Sequence, residues 1–400
     1  MTAAFAPDRV EFHVGDPYTA FRRLRAEDPL HWYADGPFWC ATRHAEVIEI
    51  SRRPRSFSSA HGTQMFEIPG RVAGKTLGME DAPSIIRMDP PAHNRHRKLV
   101  IGAFKPRIVA ALEPRVRALA RESVAAIRPG EPFDFVEKVA IPLPMFVIAE
   151  LLGVPNSDYE RFRRWSDAMI EAGSSGPGPE TIRTVTELFV YMIEKVAERR
   201  RAPREDVLTQ IALAELDGER LSDPEIGAFC LTLLVAGNET TRNLIAGGMR
   251  ALLEDRPQWE KLCADPALLP NAVEEMLRFV SPIQNFARRV QHDTELAGKQ
   301  LHAGEYVVLF YGSANRDEAV FGADAERFDV TRANADRHLA FGFGEHLCLG
   351  ASLARLEARV MFEELIARGP GFALAGAPRR LSSTLVNGVA QMPVVFEPRA

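Results

Sequence analysis

Residues 338–366, HLAFGFGEHLCLGASLARLEARVMFEELI, are the stretch that decides the fold. Cys348 lies there among Gly342, Gly344 and Gly350, which permit a tight backbone around its sulfur. A helical pattern begins directly after the cysteine. Free N–H groups and the positive dipole at the start of a helix favour a thiolate. The segment therefore predicts a thiolate available as a metal ligand.

A free cysteine is usually a small buried apolar residue, and composition alone favours that interpretation of Cys348. The three glycines, together with Phe341 and His346 at these spacings, favour the ligand instead. Residues 341–350, FGFGEHLCLG, resemble the haem-binding signature FxxGxxxCxG of the cytochrome P450 superfamily, in its soluble bacterial branch. The resemblance extends over roughly residues 80–350. It implies haem b with Cys348 as the iron ligand and with Phe341 and Gly350 beside the cofactor.

The resemblance also implies a mainly α fold with small β-sheets, a triangular helical prism whose long central helix crosses the haem. We expect residues 1–400 to form a single domain, with a helix-rich core and a smaller β-rich region. Helical periodicity supports this at 107–127, 143–152, 181–199, 207–216 and 353–368. Strand patterns occur at 30–43, where Asp35-Gly36 indicates a hairpin, and at 283–312 and 380–396.

The central helix is predicted from Ser222 or Asp223, either of which can be its N-cap, to about Arg256. At 1.5 Å per residue it would be ~50 Å long. Its first half is apolar on all sides, but residues 236–241, AGNETT, interrupt the apolar pattern at the middle. A glycine, an acid and two hydroxyls are poor choices for a buried helix, so this break indicates a functional site.

That break resembles the oxygen-activating motif of the family. The resemblance implies that Ala236 and Gly237 leave space for O2 above the iron, that Thr240 hydrogen-bonds the oxygen, and that Glu239 supplies protons. Thr240 could instead simply bond a helix carbonyl. Peroxide-driven relatives generally replace the acid–alcohol pair, so its presence favours O2 and external electrons.

Further motifs occur in family order. Glu275 and Arg278 share a helix face and resemble the ExxR pair, with Arg327 as the expected third member of its buried cluster. Four further residues match the family's anchors for the haem propionates: His93, Arg97, Arg288 and His346. For any one of these residues, a solvated surface charge is the simpler interpretation. Because all four match the family's positions together, a role in binding the haem propionates is favoured.

The resemblance assigns a mostly apolar set of residues to the substrate pocket, which predicts a largely apolar ligand. For a single Leu or Val, plain core packing is equally compatible. The predicted lining comprises Met79, Ile85, Ile86, Leu233, Val235, Ala236, Ile283, Gln284, Phe286, Leu385 and Val386. Residues 236–243, AGNETTRN, are similar to relatives that act on steroids or branched lipids, while a terpenoid, a fatty acid or a macrolide remains open.

The bulk properties are compatible with this assignment. A net charge of −5 argues against general nucleic-acid binding, and four widely spaced cysteines form no disulfide or zinc framework. Neither a signal peptide nor a membrane span is evident, so we expect a cytoplasmic protein without a membrane anchor. No flavin or iron–sulfur motif occurs, so we expect a ferredoxin and its reductase to supply electrons. The expected docking cations are Arg95, Arg97, Lys98, Lys105, Arg355 and Arg359.

The sequence thus predicts a ferredoxin-dependent haem monooxygenase that hydroxylates an apolar small molecule. Three alternatives stay open: a peroxide-driven haem-thiolate peroxygenase, a non-catalytic haem sensor or electron carrier, and a haem-free helical scaffold. A sensor would keep the cysteine loop but would have no need of Glu239 and Thr240. A haem-free scaffold would leave both the cysteine loop and the propionate anchors unexplained.

Overall fold

A computed structural model describes residues 5–69, 84–165, 168, 178–204, 206–216 and 218–398. Helices dominate this part of the chain. The α-helices are α1 (Val10–Val14), α2 (Pro17–Glu27), α3 (His44–Arg52), α4 (Ala92–Val100), α5 (Pro106–Ala111), α6 (Glu113–Ala125), α7 (Pro142–Leu151), α8 (described over 159–165), α9 (Pro179–Arg201), α10 (Val207–Ala212), α11 (Asp223–Glu254), α12 (Arg256–Ala264), α13 (Leu269–Val280), α14 (Tyr311–Ala314), α15 (Glu318–Phe321) and α16 (Ala351–Ala367). A π-helical turn at Val136–Ala140 leads into α7.

The strands form small sheets around this helical body. They are β1 (Leu30–Tyr33), β2 (Phe38–Ala41), β3 (Phe57–Ser58), β4 (Phe133–Asp134), β5 (Glu215–Leu216), β6 (Glu219–Arg220), β7 (Asn285–Val290), β8 (Thr294–Leu296), β9 (Lys299–Leu301), β10 (Tyr306–Phe310), β11 (Phe372–Leu374), β12 (Arg379–Arg380), β13 (Val389–Gln391) and β14 (Pro393–Phe396). The largest has the order β1-β2-β10-β7-β3, in which β10 runs parallel to β2 and antiparallel to β7. The predicted hairpin is present as β1 and β2.

Helix α11 is the central element of the fold. Ser222 caps it: its hydroxyl accepts from the Glu225 N–H, while the Glu225 carboxylate accepts from the Ser222 N–H at 2.7 Å. Such a reciprocal cap satisfies two otherwise free donors. The helix packs against α7, α9, α13 and α16. Because α16 follows Cys348 directly, this packing brings the cysteine segment close to the central helix.

Two predicted helices differ from those in the structure. Residues 107–127 form two helices, α5 and α6, separated at Leu112. Pro114 sits in the first turn of α6, where its missing N–H is tolerated, so it favours a new helix start there. Residues 207–216 form only the short helix α10, because Glu215 and Leu216 pair with Glu219 and Arg220 in a two-stranded hairpin. Within the described ranges, no helix is long and apolar enough to cross a membrane.

Candidate active site

The cysteine segment forms a compact loop before α16. The Cys348 N–H donates to the Phe341 carbonyl at 2.9 Å, and the Gly350 N–H donates to the sulfur. Gly342 and Gly344 have φ of 72° and 74°, a conformation that L side chains rarely adopt. A Cβ on Gly344 would also lie 2.6 Å from the Ser51 carbonyl oxygen. Gly350 has a φ of −84°, which any residue can adopt, so the backbone conformation does not require glycine there.

The environment of the Cys348 sulfur suits a metal ligand. Burial raises the pKa of the thiol, while the Gly350 N–H and the positive charges of Arg97 and Arg355 lower it. The residue nevertheless keeps exposed surface, so it is accessible to a bound group. A metal ion bound there would deprotonate the thiol outright.

The four predicted propionate anchors lie together beside this loop. The His93 and His346 ring centroids are 4.3 Å apart. Burial and the charges of Arg288, His93 and Arg97 lower the pKa of His346 to about 3. Arg288 is buried and donates to the Ala287 carbonyl, and Arg97 donates to the Leu347 carbonyl at 2.7 Å.

Within the described residues, neither Arg97 nor Arg288 forms an ion pair with an acid of this chain. Partly or fully buried cations without a carboxylate partner are costly unless an anion accompanies them. The donor set therefore fits a ligand that brings carboxylates to this position, as the two propionates of haem do.

The middle of α11 carries the predicted oxygen-activating residues. Ala236 is exposed, although Leu234 and Glu239 on the same helix are buried, so the helix borders an internal space at this point. The Thr240 hydroxyl donates to the Ala236 carbonyl at 2.5 Å. This helix back-bond uses its hydrogen but leaves the oxygen lone pairs available to accept.

Glu239 lies next to an arginine that the sequence analysis did not single out. An Arg242 Nη2 lies 3.7 Å from a Glu239 carboxylate oxygen, and both side chains are buried. Burial raises the pKa of Glu239, and Arg242 lowers it. The i,i+3 spacing on α11 could have indicated this pair.

Gly237 also has a packing role. A Cβ at this position would lie 2.3 Å from Cδ1 of Ile148 on α7. Glycine therefore permits α11 and α7 to pack closely here. Gly237 keeps partial exposure as well, so its expected place beside O2 stays a prediction.

The ExxR motif forms a fully buried cluster behind the cysteine segment. Arg278 donates to Glu275 through Nε at 2.6 Å and Nη2 at 2.8 Å. The third member is Arg332, whose Nε lies 3.3 Å from Glu275, and not Arg327. Arg327 is exposed and provides only its backbone carbonyl to Arg278. Two arginines five residues apart in one loop look equivalent in the sequence, and only the loop conformation decides which points inward.

Comparisons with known proteins agree with this geometry. The family model described as Cytochrome P450 matches residues 249–368. Linalool 8-monooxygenase of Pseudomonas putida is 39% identical over 398 residues, covering 96% of both chains. Steroid C26-monooxygenase of Mycobacterium tuberculosis is 39% identical over 386 residues, covering 95% of this chain and 93% of that protein. The crystal structure of CYP109E1 from Bacillus megaterium in complex with testosterone has a TM-score of 0.85 at 35% identity, covering 96% and 99% of the two chains.

This chain belongs to the cytochrome P450 family. The predicted P450 fold, with its helical body and small sheets, is confirmed. The chain is a P450 monooxygenase, an enzyme that uses O2 and an apolar substrate, and its cofactor is haem b with a cysteine thiolate ligand.

The predicted pocket residues of the P450 that the structure describes lie on four chain segments, two of which pair directly. Ile283 forms a β-bridge with Val386, and the Gln284 N–H donates to the Leu385 carbonyl at 2.8 Å. Ile85 is buried, whereas the other apolar members are partly exposed or lie in that bridge: Ile86, Leu233, Val235, Ile283, Phe286, Leu385 and Val386. Met79 lies outside the described residues.

Gln284 has a contact outside the predicted pocket. Its side-chain oxygen lies 3.1 Å from Nδ1 of His13, and both side chains are buried. The amide oxygen therefore contacts the N-terminal helix α1, and the place of Gln284 in the pocket stays a prediction. This contact joins positions 271 residues apart, so no local sequence pattern could have predicted it.

The expected docking cations divide into two groups. Arg355 donates twice to Glu274 at 2.7 Å, and Arg359 donates to Glu113 and Glu363 at 2.7 Å. Burial raises the pKa of Glu274, but hydrogen bonds from Arg355 and His338 outweigh it and lower the value to about 2. These two arginines therefore hold helices together. Arg95 pairs with Glu219 and Arg97 faces the cysteine loop, which leaves Lys98 and Lys105 as the exposed lysines of this group.

Proposed function

We propose that this P450 hydroxylates an isoprenoid substrate, a steroid or a terpenoid, with electrons from a separate ferredoxin and ferredoxin reductase. Cys348 would bind the iron, and His93, Arg97, Arg288 and His346 would hold the propionates. The observation that carries the proposal is the convergence of these four residues beside the cysteine loop, where Arg97 and Arg288 have no acidic partner among the described residues.

The oxygen-side residues support monooxygenation over a non-catalytic haem protein. When bound, haem with a thiolate ligand supplies O2 activation. Thr240 keeps its lone pairs free to accept a hydrogen bond because its hydrogen goes to Ala236. Glu239 has a raised pKa, so it can hold and release a proton nearer neutral pH than an ordinary carboxyl. A sensor would have no need of this pair.

The substrate class rests on the pocket and on the relatives. Its predicted lining is apolar apart from Gln284, whose amide oxygen contacts His13. An apolar lining selects an apolar ligand and offers few groups that would orient a charged one. Similar proteins are named for linalool and for steroid oxidation, and both compounds are isoprenoids.

The cellular setting is part of the proposal. All four cysteines are free thiols, which fits a reducing cytoplasm. Lys98, on the same helix as Arg97, and Lys105, just after that helix, offer exposed positive charge that would attract an acidic ferredoxin. We also propose that residues 1–400 act as one P450 domain.

The test of the haem assignment is the spectrum of the reduced carbon-monoxide complex. The wild-type protein should show the strongly red-shifted Soret band of a thiolate ligand. Cys348→Ser should lose that band, and Cys263→Ser, which changes a partly buried thiol on α12, should keep it. An unchanged band in Cys348→Ser would overturn the assignment.

The substrate is tested by titrating the oxidised protein with steroids, linalool, fatty acids and macrolides. Steroids or terpenoids should shift the haem spin state and yield hydroxylated product with ferredoxin, reductase and O2. Thr240→Ala should keep the spin shift but release peroxide in place of product, whereas Thr240→Ser should stay coupled. Turnover with peroxide alone at the full rate would favour the peroxygenase.

A further inference from the structure

A second cavity of this P450 is lined by charged side chains that the candidate site does not use. It lies between the start of α2, the second half of α11, the end of α13 and the loops after α14 and before β13. Its charged lining residues are Asp16, Arg250, Arg316, Glu326 and Arg380, and its aromatic ones are Tyr18 and Phe279. Three arginines and two acids face one small space, so their pairing decides what the cavity can hold.

Arg316 is the most buried of these charges, at 3% exposure. Its guanidinium carbon lies 3.7 Å from the Tyr18 ring centroid and 4.7 Å from that of Phe279. Its recorded hydrogen bonds go to two backbone carbonyls, those of Gly312 and Phe279, and among the described residues it has no ion pair. Burial lowers its pKa to about 10, which reports how poorly its charge is compensated.

The other two arginines are only partly compensated. Nε of Arg250 is buried and lacks a hydrogen-bond partner within the described structure, and its ion pair with Glu254 is long, at 3.6 Å. Arg380 donates to the Gly15 carbonyl at 2.8 Å and to Asn387 at 3.1 Å. Burial lowers the pKa of Arg380 most, and the charge of Arg250 lowers it too, while the carboxylates of Glu254 and Asp16 offset only part of this.

The two acids of the lining are already engaged. Asp16 accepts from the Tyr18 N–H at 3.0 Å and from the Thr19 hydroxyl at 2.6 Å. Glu326 pairs with Arg22 and lies 3.6 Å from Arg25. Within the described residues neither acid forms a hydrogen bond or a close ion pair with Arg250, Arg316 or Arg380, and Asp16 acts on Arg380 only at longer range.

We propose that this cavity binds a small oxyanion, a carboxylate or inorganic phosphate, between Arg250, Arg316 and Arg380. Planar guanidinium groups match the oxygens of both anion types, and charge-assisted hydrogen bonds are the stronger ones. Because Tyr18 and Arg380 connect α1 and α2 to the body of the protein, the bound anion fastens the N-terminal segment onto α11. The inference stands independently of the proposed substrate.

The test is calorimetric titration of the holoenzyme with phosphate, and separately with acetate, at ionic strength held constant with chloride. Arg250→Gln and Arg380→Gln should each weaken binding by at least about tenfold, the loss of one charge-assisted contact. Arg379→Gln, which changes the exposed neighbour of Arg380, is the matched control and should bind as the wild type does. The reduced carbon-monoxide spectrum verifies that each variant is folded.

Hydrogen exchange gives a second readout that surface binding would not produce. Saturating anion should slow exchange in α2 and in residues 379–391 of the wild type, but not in Arg380→Gln. Response to acetate alone identifies a carboxylate site, and response to phosphate alone identifies a phosphate site; either supports the proposal. The proposal would be overturned if phosphate and acetate gave no more binding heat than chloride. Equal losses of anion affinity in Arg379→Gln and Arg380→Gln would also overturn it.

Discussion

Arg242 sets the protonation of Glu239 from the same helix. Burial raises the pKa of Glu239, and the guanidinium 3.7 Å away holds it down. Replacing Arg242 by Leu should therefore raise that pKa further. If protonated Glu239 donates a proton during turnover, kcat falls as pH rises through the pKa of this residue. We expect this alkaline limb to move to higher pH in Arg242→Leu, as measured by kcat against pH at saturating substrate and reductant.

Two variants control this experiment. Arg242→Lys keeps the positive charge and should leave the limb close to its wild-type position. Glu239→Gln removes the titrating group and should lower kcat by on the order of 10²-fold without a corresponding limb. A limb that stays fixed in Arg242→Leu would show that another group limits proton delivery.

Glu357 on α16 is a buried acid that the proposed mechanism does not use. It is 1% exposed, one carboxylate oxygen lacks a hydrogen-bond partner in the described structure, and burial raises its pKa well above the usual value. The unfolded chain ionises this group above pH ~4.5, whereas the folded protein retains the proton. The folded state therefore binds more protons and loses stability as pH rises, by about 1.4 kcal/mol per pH unit from this group.

Glu357→Gln cannot ionise and should escape this loss. The free energy of unfolding is measured in urea at pH 5, 6, 7 and 8 for both proteins. As pH rises, the variant should become progressively more stable relative to the wild type. Glu363→Gln, on the ion-paired side of the same helix, is the control and should show no such trend. A pH-independent difference for Glu357→Gln would contradict the assigned pKa direction.

At the scale of elements, the packing of α11 on α7 depends on one missing side chain. A Cβ at Gly237 would lie 2.3 Å from Cδ1 and 2.8 Å from Cγ1 of Ile148. We expect Gly237→Ala to destabilise the protein by about 1–3 kcal/mol, the usual penalty for overpacking a core. The free energy of unfolding in urea measures it.

Ile148→Val provides the matched rescue because it removes the closest carbon. Alone it should cost about 0.5–1.5 kcal/mol. The double variant should be more stable than the sum of the two single effects predicts, since the added and removed carbons occupy the same place. Strict additivity would show that α7 and α11 do not compete for this space.

Elements with local signals were predictable, and those set by distant partners were not. Ser222, Glu225 and the apolar run that follows define α11 in the sequence itself. The split between α5 and α6 could have been inferred from Pro114, whereas the contact of Gly237 with Ile148 could not. In the candidate site, the cysteine loop and the four anchors follow from motifs. Arg332 and the Gln284–His13 contact depend on how loops fold back, which no local pattern records.

At the scale of the whole molecule, the charges that hold the fold together must be separated from those free to meet a partner. The protein has a net charge of −5, so an acidic ferredoxin is attracted only by a local cationic region. Arg355 and Arg359 join α16 to Glu274 on α13 and Glu113 on α6, so reversing them would also disturb packing. Lys98 and Lys105 are exposed and are the better test positions.

Lys98→Glu and Lys105→Glu should slow reduction by an acidic ferredoxin about tenfold at low ionic strength, because steering charges act mainly on the association rate. The difference from the wild type should shrink as salt shortens the Debye length to about 3 Å near 1 M. Stopped-flow reduction under carbon monoxide measures the rate, and dithionite reduction checks that the haem site is intact. Lys138→Glu, an exposed charge outside α4 and its following turn, should leave the rate and its salt dependence unchanged. If all three variants behave alike, the ferredoxin docks elsewhere and Lys98 and Lys105 serve only solubility.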